Sequence, residues 1–196
     1  DYIFYKMNPL LTTEIKNAVE VLASGGTILY PTDTIWGIGC DATNQKAVDK
    51  IYKIKRRMES KSLLMLVESP DRIFDYVEKV SPLFIDLIKS YDKPLTVIYQ
   101  GAKNVAKGVA AEDNTIGIRV TKDEFCKELI SAFGKAIVST SANISGEPSA
   151  IRFQQISEKV KSQVDYVVKL YQNEIRLMRP SRIIRITETG DFEIVR

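Results

Sequence analysis

Residues 30–42, YPTDTIWGIGCDA, end a buried apolar run, 27–30, with a proline and then supply hydroxyls, a carboxylate and two glycines. A turn alone would account for the proline, Asp33 and the glycines, because these residues favour reversed or unusual backbone conformations. The alternative is a polar cup at the end of a strand, where hydroxyl and backbone N–H groups hold a small substrate. This stretch alone leaves both interpretations open.

Outward from this stretch, helical and strand patterns alternate along the chain. The first helix has an apolar face of Ile15, Val19 and Leu22, with Thr12 or Thr13 as its cap. The other predicted helices cover 45–55 (capped by Asn44), 71–79, 81–90, 123–132 and 153–162. The predicted strands cover 2–5, 27–30, 63–67, 95–99, 115–120, 136–139, 165–170, 183–186 and 192–195. Hairpin-like pairs occur beside helical crossovers, so we predict an α/β fold: a single domain, 1–196, with a twisted mixed β-sheet flanked by helices.

The composition narrows the classes of function. A chain of 196 residues, 44% hydrophobic and 27% charged, suits one globular domain. The absence of histidine excludes the Ser-His-Asp and Cys-His nucleophile systems and the usual zinc sites. Cys40 and Cys126 lie far apart in the sequence, so we expect neither a disulfide nor a tightly bound, protein-ligated metal. With a net charge of only +3, any anion site must be local.

The expected location is the cytoplasm. No apolar run reaches the roughly 20 residues that cross a bilayer, and the N-terminus has no secretory signal pattern. We therefore expect no association with membranes.

A basic run, 50–57, with Lys61 beyond it, follows the apolar stripe of the second helix. Such a run is usually the solvated end of a helix, where cations face the negative end of the helix dipole. Here the run continues past the last apolar position, Ile54, into a loop before a buried strand. Cations in that place can converge on a polyanion such as a triphosphate.

A third segment, 137–149, reads IVSTSANISGEPS and groups small hydroxyl and amide side chains after an apolar strand. It is either a plain loop or a set of donors that wraps phosphate or ribose oxygens. It is not a P-loop, because the G-x-x-x-x-G-K-[ST] pattern is missing. Together, the three segments indicate a substrate rich in oxyanions, held by cations and hydroxyls.

These segments, together with KPLTVIY at 93–99 and IGIRV at 116–120, occur in an order that resembles the YrdC-like threonylcarbamoyl-AMP synthase family. The resemblance covers about residues 10–196 and rests chiefly on the K-x-R element at 55–57 and the S-x-N element at 141–143. It implies the open α/β sandwich of the short, single-domain form. It also implies synthesis of threonylcarbamoyl-AMP and pyrophosphate from L-threonine, bicarbonate or CO2, and ATP. That adenylate feeds the t6A modification at position 37 of tRNA.

The resemblance also implies roles for individual residues. Lys55 and Arg57 would be catalytic. The ATP site would comprise Arg57, Lys61, Thr115, Ser141, Asn143, Ser149 and Arg196. The threonine end would comprise Thr34, Arg119, Ser139 and Ser181. Gly37 and Gly39 would let the chain bend away from the cup, and we expect Trp36 to pack rather than to react.

The implied partners are ATP with Mg2+, L-threonine, bicarbonate and downstream tRNA threonylcarbamoyl transferase proteins. The chain departs from the family's usual residues at Met58 and Ser62, and at Arg182, whose role the resemblance does not give. Two other functions remain open. One is an RNA-binding module, with weak RNA binding through the basic residues. The other is a nucleotide hydrolase or carbamoyl-transfer protein on the same fold.

Overall fold

The computed structural model describes residues 8–56, 63–175 and 180–196. Their strands are β1 (Ile28–Tyr30), β2 (Gly37–Gly39), β3 (Leu64–Val67), β4 (Leu95–Gln100), β5 (Thr115–Val120), β6 (Ile137–Ser141), β7 (Tyr166–Val167), β8 (Arg182–Ile186) and β9 (Phe192–Ile194). They form one sheet in the order β7-β1-β2-β6-β3-β5-β4-β8-β9. The pairs β1–β7, β3–β5 and β4–β8 are parallel and the others antiparallel, so the predicted mixed α/β sheet is confirmed.

Side-chain caps fix where the helices begin. The helices are α1 (Pro9–Ala23), α2 (Gln45–Lys55), α3 (Pro82–Ser90), α4 (Glu124–Phe133) and α5 (Glu158–Gln163). Asn44 accepts a hydrogen bond from the Ala47 amide and starts α2 at the predicted residue. Helix α1 begins earlier than predicted, because Asn8 caps it and Pro9 suits its first position. None of the described helices has the length and hydropathy that spanning a bilayer requires.

Two of the predicted helices are wrong in extent. The segment predicted as 71–79 is a 3-10 helix, Pro70–Asp75, because the backbone beyond it bonds elsewhere: Glu78 N donates to Gly101 O, and Lys103 N to Tyr76 O. The segment predicted as 153–162 is divided into a 3-10 turn, Phe153–Gln155, and α5. The division occurs because the Ser157 hydroxyl accepts from the Val160 amide and caps a new helix.

Three strand predictions also need correction. Gly37–Gly39 does not bend away from the sheet but forms β2, paired with β1 on one side and β6 on the other. Strand β6 extends to Ser141, two residues beyond its predicted end, because Ser141 pairs with Gly37. Strand β7 is only Tyr166–Val167, shorter than the predicted 165–170. The strand predicted at 2–5 lies outside the described residues.

The two faces of the sheet are covered differently. One face carries Ile38, Met65, Val97, Ile118 and Val138 and is buried by α2 and α3. On the other face, α1 and α4 bury the part formed by Ile28, Tyr30, Leu66 and Ile137. Because side chains alternate along a strand, the rest of this second face presents the intervening residues of β2–β6 and β8. That uncovered part of the sheet is the floor of the cavity described below.

Strand β2 needs Gly39 for close packing. A Cβ atom there would lie 2.6 Å from Tyr30 Cε1 and 2.7 Å from Val138 O. We expect Gly39→Ala to destabilise the fold by about 1–3 kcal/mol through overpacking, measured by denaturant unfolding. Gly117→Ala is the matched control, because a Cβ atom there would meet its nearest atoms at 3.6 Å. If the two variants were equally stable, the proposed crowding at β2 would be wrong.

Candidate functional site

A cavity of about 740 Å³ opens over the uncovered part of the sheet. Its floor residues are Gly37 on β2, Leu64 on β3, Thr96 and Ile98 on β4, Thr115, Gly117 and Arg119 on β5, Ser139 and Ser141 on β6, and Ile183 and Arg185 on β8. Most of these side chains are small or carry a hydroxyl. The floor of the cavity therefore has short side chains that leave space above them, and it offers many hydrogen-bonding groups. Such a cavity suits a polar ligand of moderate size.

Arg119 supplies the buried cation of this cavity. Arg119 is 2% exposed, and its Nη2 atom lies 3.2 Å from Asp33 Oδ1. Asp33 Oδ2 in turn accepts from the Lys122 amide, which holds the carboxylate in place. Arg119 Nη2 is buried and meets Asp33 in this ionic contact, whereas the buried Nε has no hydrogen-bond partner among the described residues. Arg119 is thus a buried guanidinium on the cavity lining, held in place by Asp33, and a planar cation of this kind makes this end suitable for a carboxylate.

Short hydroxyl side chains surround the same end. Thr34 is held by a turn in which its amide donates to Thr32 Oγ1, while the two hydroxyl oxygens lie 3.2 Å apart. Ser181 Oγ lies 2.8 Å from Thr96 Oγ1 in a buried hydrogen bond. Ser139 is also buried and lines the cavity. These hydroxyls are fixed by the backbone on which they lie, so they can orient a small ligand with little loss of entropy.

Lys55 is held by the turn that follows β6. It is 2% exposed, and its ammonium group donates to the backbone oxygens of Ser141 at 2.7 Å and Asn143 at 2.8 Å. It also contacts Ser141 Oγ and Asn143 Oδ1, both at 3.2 Å. The Ser141 hydroxyl donates to Asn143 Oδ1, and the Asn143 amide nitrogen donates to Glu147 O. We call residues 141–147, ordered by these bonds, the β6 turn.

The opposite end of the cavity is more open and has a mixed charge. Asp113 accepts from both the hydroxyl and the amide of Thr115, at 2.7 and 3.1 Å, and these bonds lower the pKa of the Asp113 carboxyl. The charge of Arg185 also lowers the pKa of Asp113. Arg196 instead lies beside Ser181, whose backbone oxygen accepts from it at 3.3 Å. Ser149 is exposed on the cavity wall. Asp113 is therefore ionised at neutral pH beside hydroxyls and an arginine.

The cavity brings together most of the residues that the sequence predicts for the site. The predicted residues that line it are Thr34, Thr115, Arg119, Ser139, Ser141, Ser149, Ser181 and Arg196. Lys55 and Asn143 do not line it but support its wall through the β6 turn. Arg57 and Lys61 lie outside the described residues, so their roles stay predictions.

Sequence reasoning missed several polar or small residues of the cavity, among them Thr96, Asp113, Gly117 and Arg185. Thr96 and Gly117 are recognisable only once β4 and β5 are paired, because their register places them on the floor. Asp113 carries a weak local signal, an Asp two residues before Thr115 at the start of a strand, typical of an Asx-type turn. Arg185 is one of several arginines and has no distinguishing context.

Trp36 and the two cysteines are buried and are not among the residues that line the cavity. Trp36 is 2% exposed and its ring centroid lies 4.9 Å from that of Phe153, which confirms the packing role. Cys40 and Cys126 are free and buried, and burial raises the pKa of both thiols. They are therefore protonated at neutral pH and do not act as nucleophiles.

The chain is similar to known proteins in both sequence and structure. The family model Sua5/yciO/yrdC, described as "Telomere recombination", matches residues 20–196. Threonylcarbamoyl-AMP synthase of Pseudoalteromonas translucida is 34% identical over 157 residues, 79% of this chain and 84% of that protein. The synthase of Xanthomonas oryzae is 32% identical over 181 residues, 90% of this chain and 94% of that protein.

Among solved structures, YciO of E. coli has a TM-score of 0.81 at 26% identity and covers 96% of this chain and 90% of its own. Sua5 of P. abyssi, solved in complex with L-threonine, has a TM-score of 0.84 at 24% identity. The present chain covers 53% of that Sua5 chain. Both structures share the fold described here.

Proposed function

The chain belongs to the Sua5/yciO/yrdC family, and from this premise we propose that it synthesises threonylcarbamoyl-AMP. It would join L-threonine, bicarbonate or CO2, and ATP, and release pyrophosphate. The observation that carries the proposal is the cavity itself. Segments spread from Thr34 to Arg196 meet there, with a buried cation at one end and hydroxyl groups along the whole lining. The two relatives that are 34% and 32% identical to this chain are both named threonylcarbamoyl-AMP synthase, which agrees with this activity.

The amino acid would occupy the Arg119 end of the cavity. Its carboxylate matches the planar guanidinium of Arg119, which lines the cavity and is held by Asp33. The hydroxyls of Thr34, Ser139 and Ser181 would then hold the amine side and the carbamate that forms from it. Since these groups are already ordered, binding would fix the carbamate oxygen for attack.

The nucleotide would occupy the other end and the β6 turn. We assign contacts with ATP to Thr115, Ser141 and Ser149 at that end, and to Arg196, which lines the cavity beside Ser181. Asn143 and Lys55 would keep the β6 turn in the shape that receives the phosphates. Arg57 and Lys61 would supply the cations for the leaving pyrophosphate, because they follow the end of α2 at Lys55 within the same basic stretch of the sequence. Lys55 is therefore proposed as a positioning residue and Arg57 as the catalytic cation.

The chemistry requires positioning and charge neutralisation more than a protein base. The amine of threonine reacts with CO2 to give a carbamate, and a carbamate oxygen attacks the α-phosphorus of ATP as pyrophosphate leaves. Both reactants are anions, so preorganised cations and donors stabilise the transition state. The proton of the amine can leave to bicarbonate or water, which fits a chain without histidine.

Mg2+ would arrive with ATP and neutralise the charge of its phosphates. Among the described lining residues, Asp113 is the one carboxylate, and no group of three acidic, cysteine or histidine residues gathers in the described ranges. We therefore expect the phosphates to provide most of the ligands of the ion. The product would pass to tRNA threonylcarbamoyl transferase proteins, in the cytoplasm.

The direct test is a pyrophosphate-release assay with mass spectrometry of the product. We expect release from ATP and Mg2+ only when L-threonine and bicarbonate are both present, together with a product of the mass of threonylcarbamoyl-AMP. Equal release without threonine would contradict the proposal and indicate a nucleotide hydrolase. Binding of RNA that falls steeply with salt and does not need threonine would indicate the RNA-binding alternative.

A further inference from the structure

Gly117 lies in the middle of a strand, and no packing contact within the described part of the protein requires the residue at this position to be a glycine. It lies on β5 and its position faces the cavity, between Thr115 and Arg119. Glycine in a strand interior lowers stability, because it loses more backbone entropy on folding and has no side chain to pack. Such a glycine commonly marks a place where a ligand or another backbone approaches closely.

The surroundings of Gly117 have room for a side chain. A Cβ atom there would meet Leu64 Cδ1 and Thr96 Cγ2, both at 3.6 Å, which is ordinary van der Waals contact. Its φ angle is not positive, so an alanine would adopt the same backbone conformation. Gly39 on β2 is the contrast, because a Cβ atom there would lie within 2.7 Å of two atoms of the protein. Packing thus explains Gly39 and leaves Gly117 unexplained.

The position of Gly117 indicates which part of a ligand would approach it. Arg119 lies two residues along β5 in one direction and Thr115 two residues in the other, each roughly 7 Å away at the spacing of a strand. On the neighbouring strands, Gly117 pairs with Leu64 and Ile98. Gly117 is therefore the floor between the end assigned to the amino acid and the end assigned to the nucleotide.

We propose that Gly117 is a specificity-determining residue for the linkage that joins the two halves of the product. This inference rests on the proposed function. The bare backbone of Gly117 gives clearance to the carbamoyl–phosphate anhydride while Arg119 holds the carboxylate and Thr115 lies beside the nucleoside. The residue thereby selects a linked acyl-adenylate over an amino acid and a nucleotide bound separately.

A methyl group at this position would have a selective effect. Free threonine or free AMP can shift by a fraction of an ångström within its own half of the cavity and keep its polar contacts. A linked ligand is held at both ends, so its centre cannot move away from the added methyl group. The variant should therefore weaken the linked ligand much more than either half.

The test is calorimetric titration of the wild type, Gly117→Ala and Gly117→Val with three probes. These are L-threonine, AMP, and a hydrolysis-resistant analogue of threonylcarbamoyl-AMP with a sulfamoyl group in place of the phosphoryl group. We expect Gly117→Ala to raise the Kd of the analogue at least about tenfold and Gly117→Val to raise it further. The Kd values of L-threonine and AMP should change less than about threefold, and the Tm of Gly117→Ala should not fall.

Three results would overturn the inference. The first is an analogue Kd that stays within about threefold of the wild-type value. The second is equal weakening of all three probes, which would show a general deformation of the cavity. The third is a lower Tm for Gly117→Ala like that of Gly39→Ala, which would show a structural role. The proposed function is tested separately: it would be wrong if the wild-type protein made no threonylcarbamoyl-AMP in the turnover assay.

Discussion

Replacing Lys55 with methionine is expected to lower the rate of pyrophosphate release about a hundredfold, the scale found when one preorganised polar group of an active site is removed. Methionine keeps much of the length and apolar character of the side chain but has no ammonium group. The oxygens of Ser141 and Asn143 that now surround the ammonium would lose their donor. The β6 turn would then lose the shape that we assign to phosphate binding. Stopped-flow or coupled pyrophosphate assays measure the rate.

Lys53→Met is the matched control, because Lys53 lies in the last turn of the same helix and is exposed. It should leave both the rate and the stability nearly unchanged. Lys55→Met should also lower the free energy of unfolding by about 1–3 kcal/mol, the cost of leaving buried polar groups unsatisfied. Faster hydrogen exchange should be confined to the β6 turn. A fully active Lys55→Met protein would contradict the positioning role.

Replacing Arg119 with lysine is expected to raise the KM for L-threonine by roughly ten- to a hundredfold, because lysine is a point charge and lacks the planar fork that matches a carboxylate. The KM for ATP should change much less, since we assign the nucleotide to the other end of the cavity. Lysine still carries a positive charge to pair with Asp33, so the fold should persist. Steady-state kinetics with each substrate varied in turn separates the two effects.

Arg72→Lys is the control for this experiment. Arg72 forms ion pairs with Glu68 and Asp75 away from the cavity lining, so the same substitution there should leave the KM for L-threonine unchanged. The double variant Arg119→Met, Asp33→Asn removes both the arginine and the carboxylate that pairs with it. It therefore does not leave the carboxylate of Asp33 without its partner charge. If the Arg119→Lys enzyme kept the wild-type KM for threonine, the carboxylate site would have to lie elsewhere.

Much of the fold was predictable where local signals and burial agree. Helix α2 has both a strong cap, Asn44, and an apolar stripe, and its predicted range is the observed one. Strand β5 is flanked by polar residues and has apolar side chains at every second position, Ile116, Ile118 and Val120, and it too matches its prediction. The hairpin of β8 and β9 follows from two apolar runs around Gly190. In each case the sequence near the element is sufficient to specify it.

Elements that depend on distant partners were not predictable in this way. Strand β2 is Gly37–Gly39, and a triplet with two glycines has little intrinsic strand preference. It is a strand because β1 and β6 pair with it from both sides. The apolar pattern after Pro70 suggested a longer helix, but backbone bonds to 101–103 compete with helical ones there. Long-range pairing decides both cases.

The candidate site shows the same division. Thr34, Ser139 and Ser141 were predictable because motifs around strand ends and their order along the chain identify them. That the ammonium of Lys55 is enclosed by the β6 turn was not predictable, since a basic helix end is usually solvated. The burial of Arg119 beside Asp33 likewise depends on β5 lying next to β3 in the sheet.

The alternation along β5 has a practical consequence for preparing the protein. Thr115, Gly117 and Arg119 line the cavity, whereas Ile116 and Ile118 belong to the core. A pairing slipped by one residue would exchange the two sets, so a misassembled molecule would lose ligand affinity and core packing together. Titration of a refolded preparation with a tight ligand would therefore count the correctly assembled molecules in the sample.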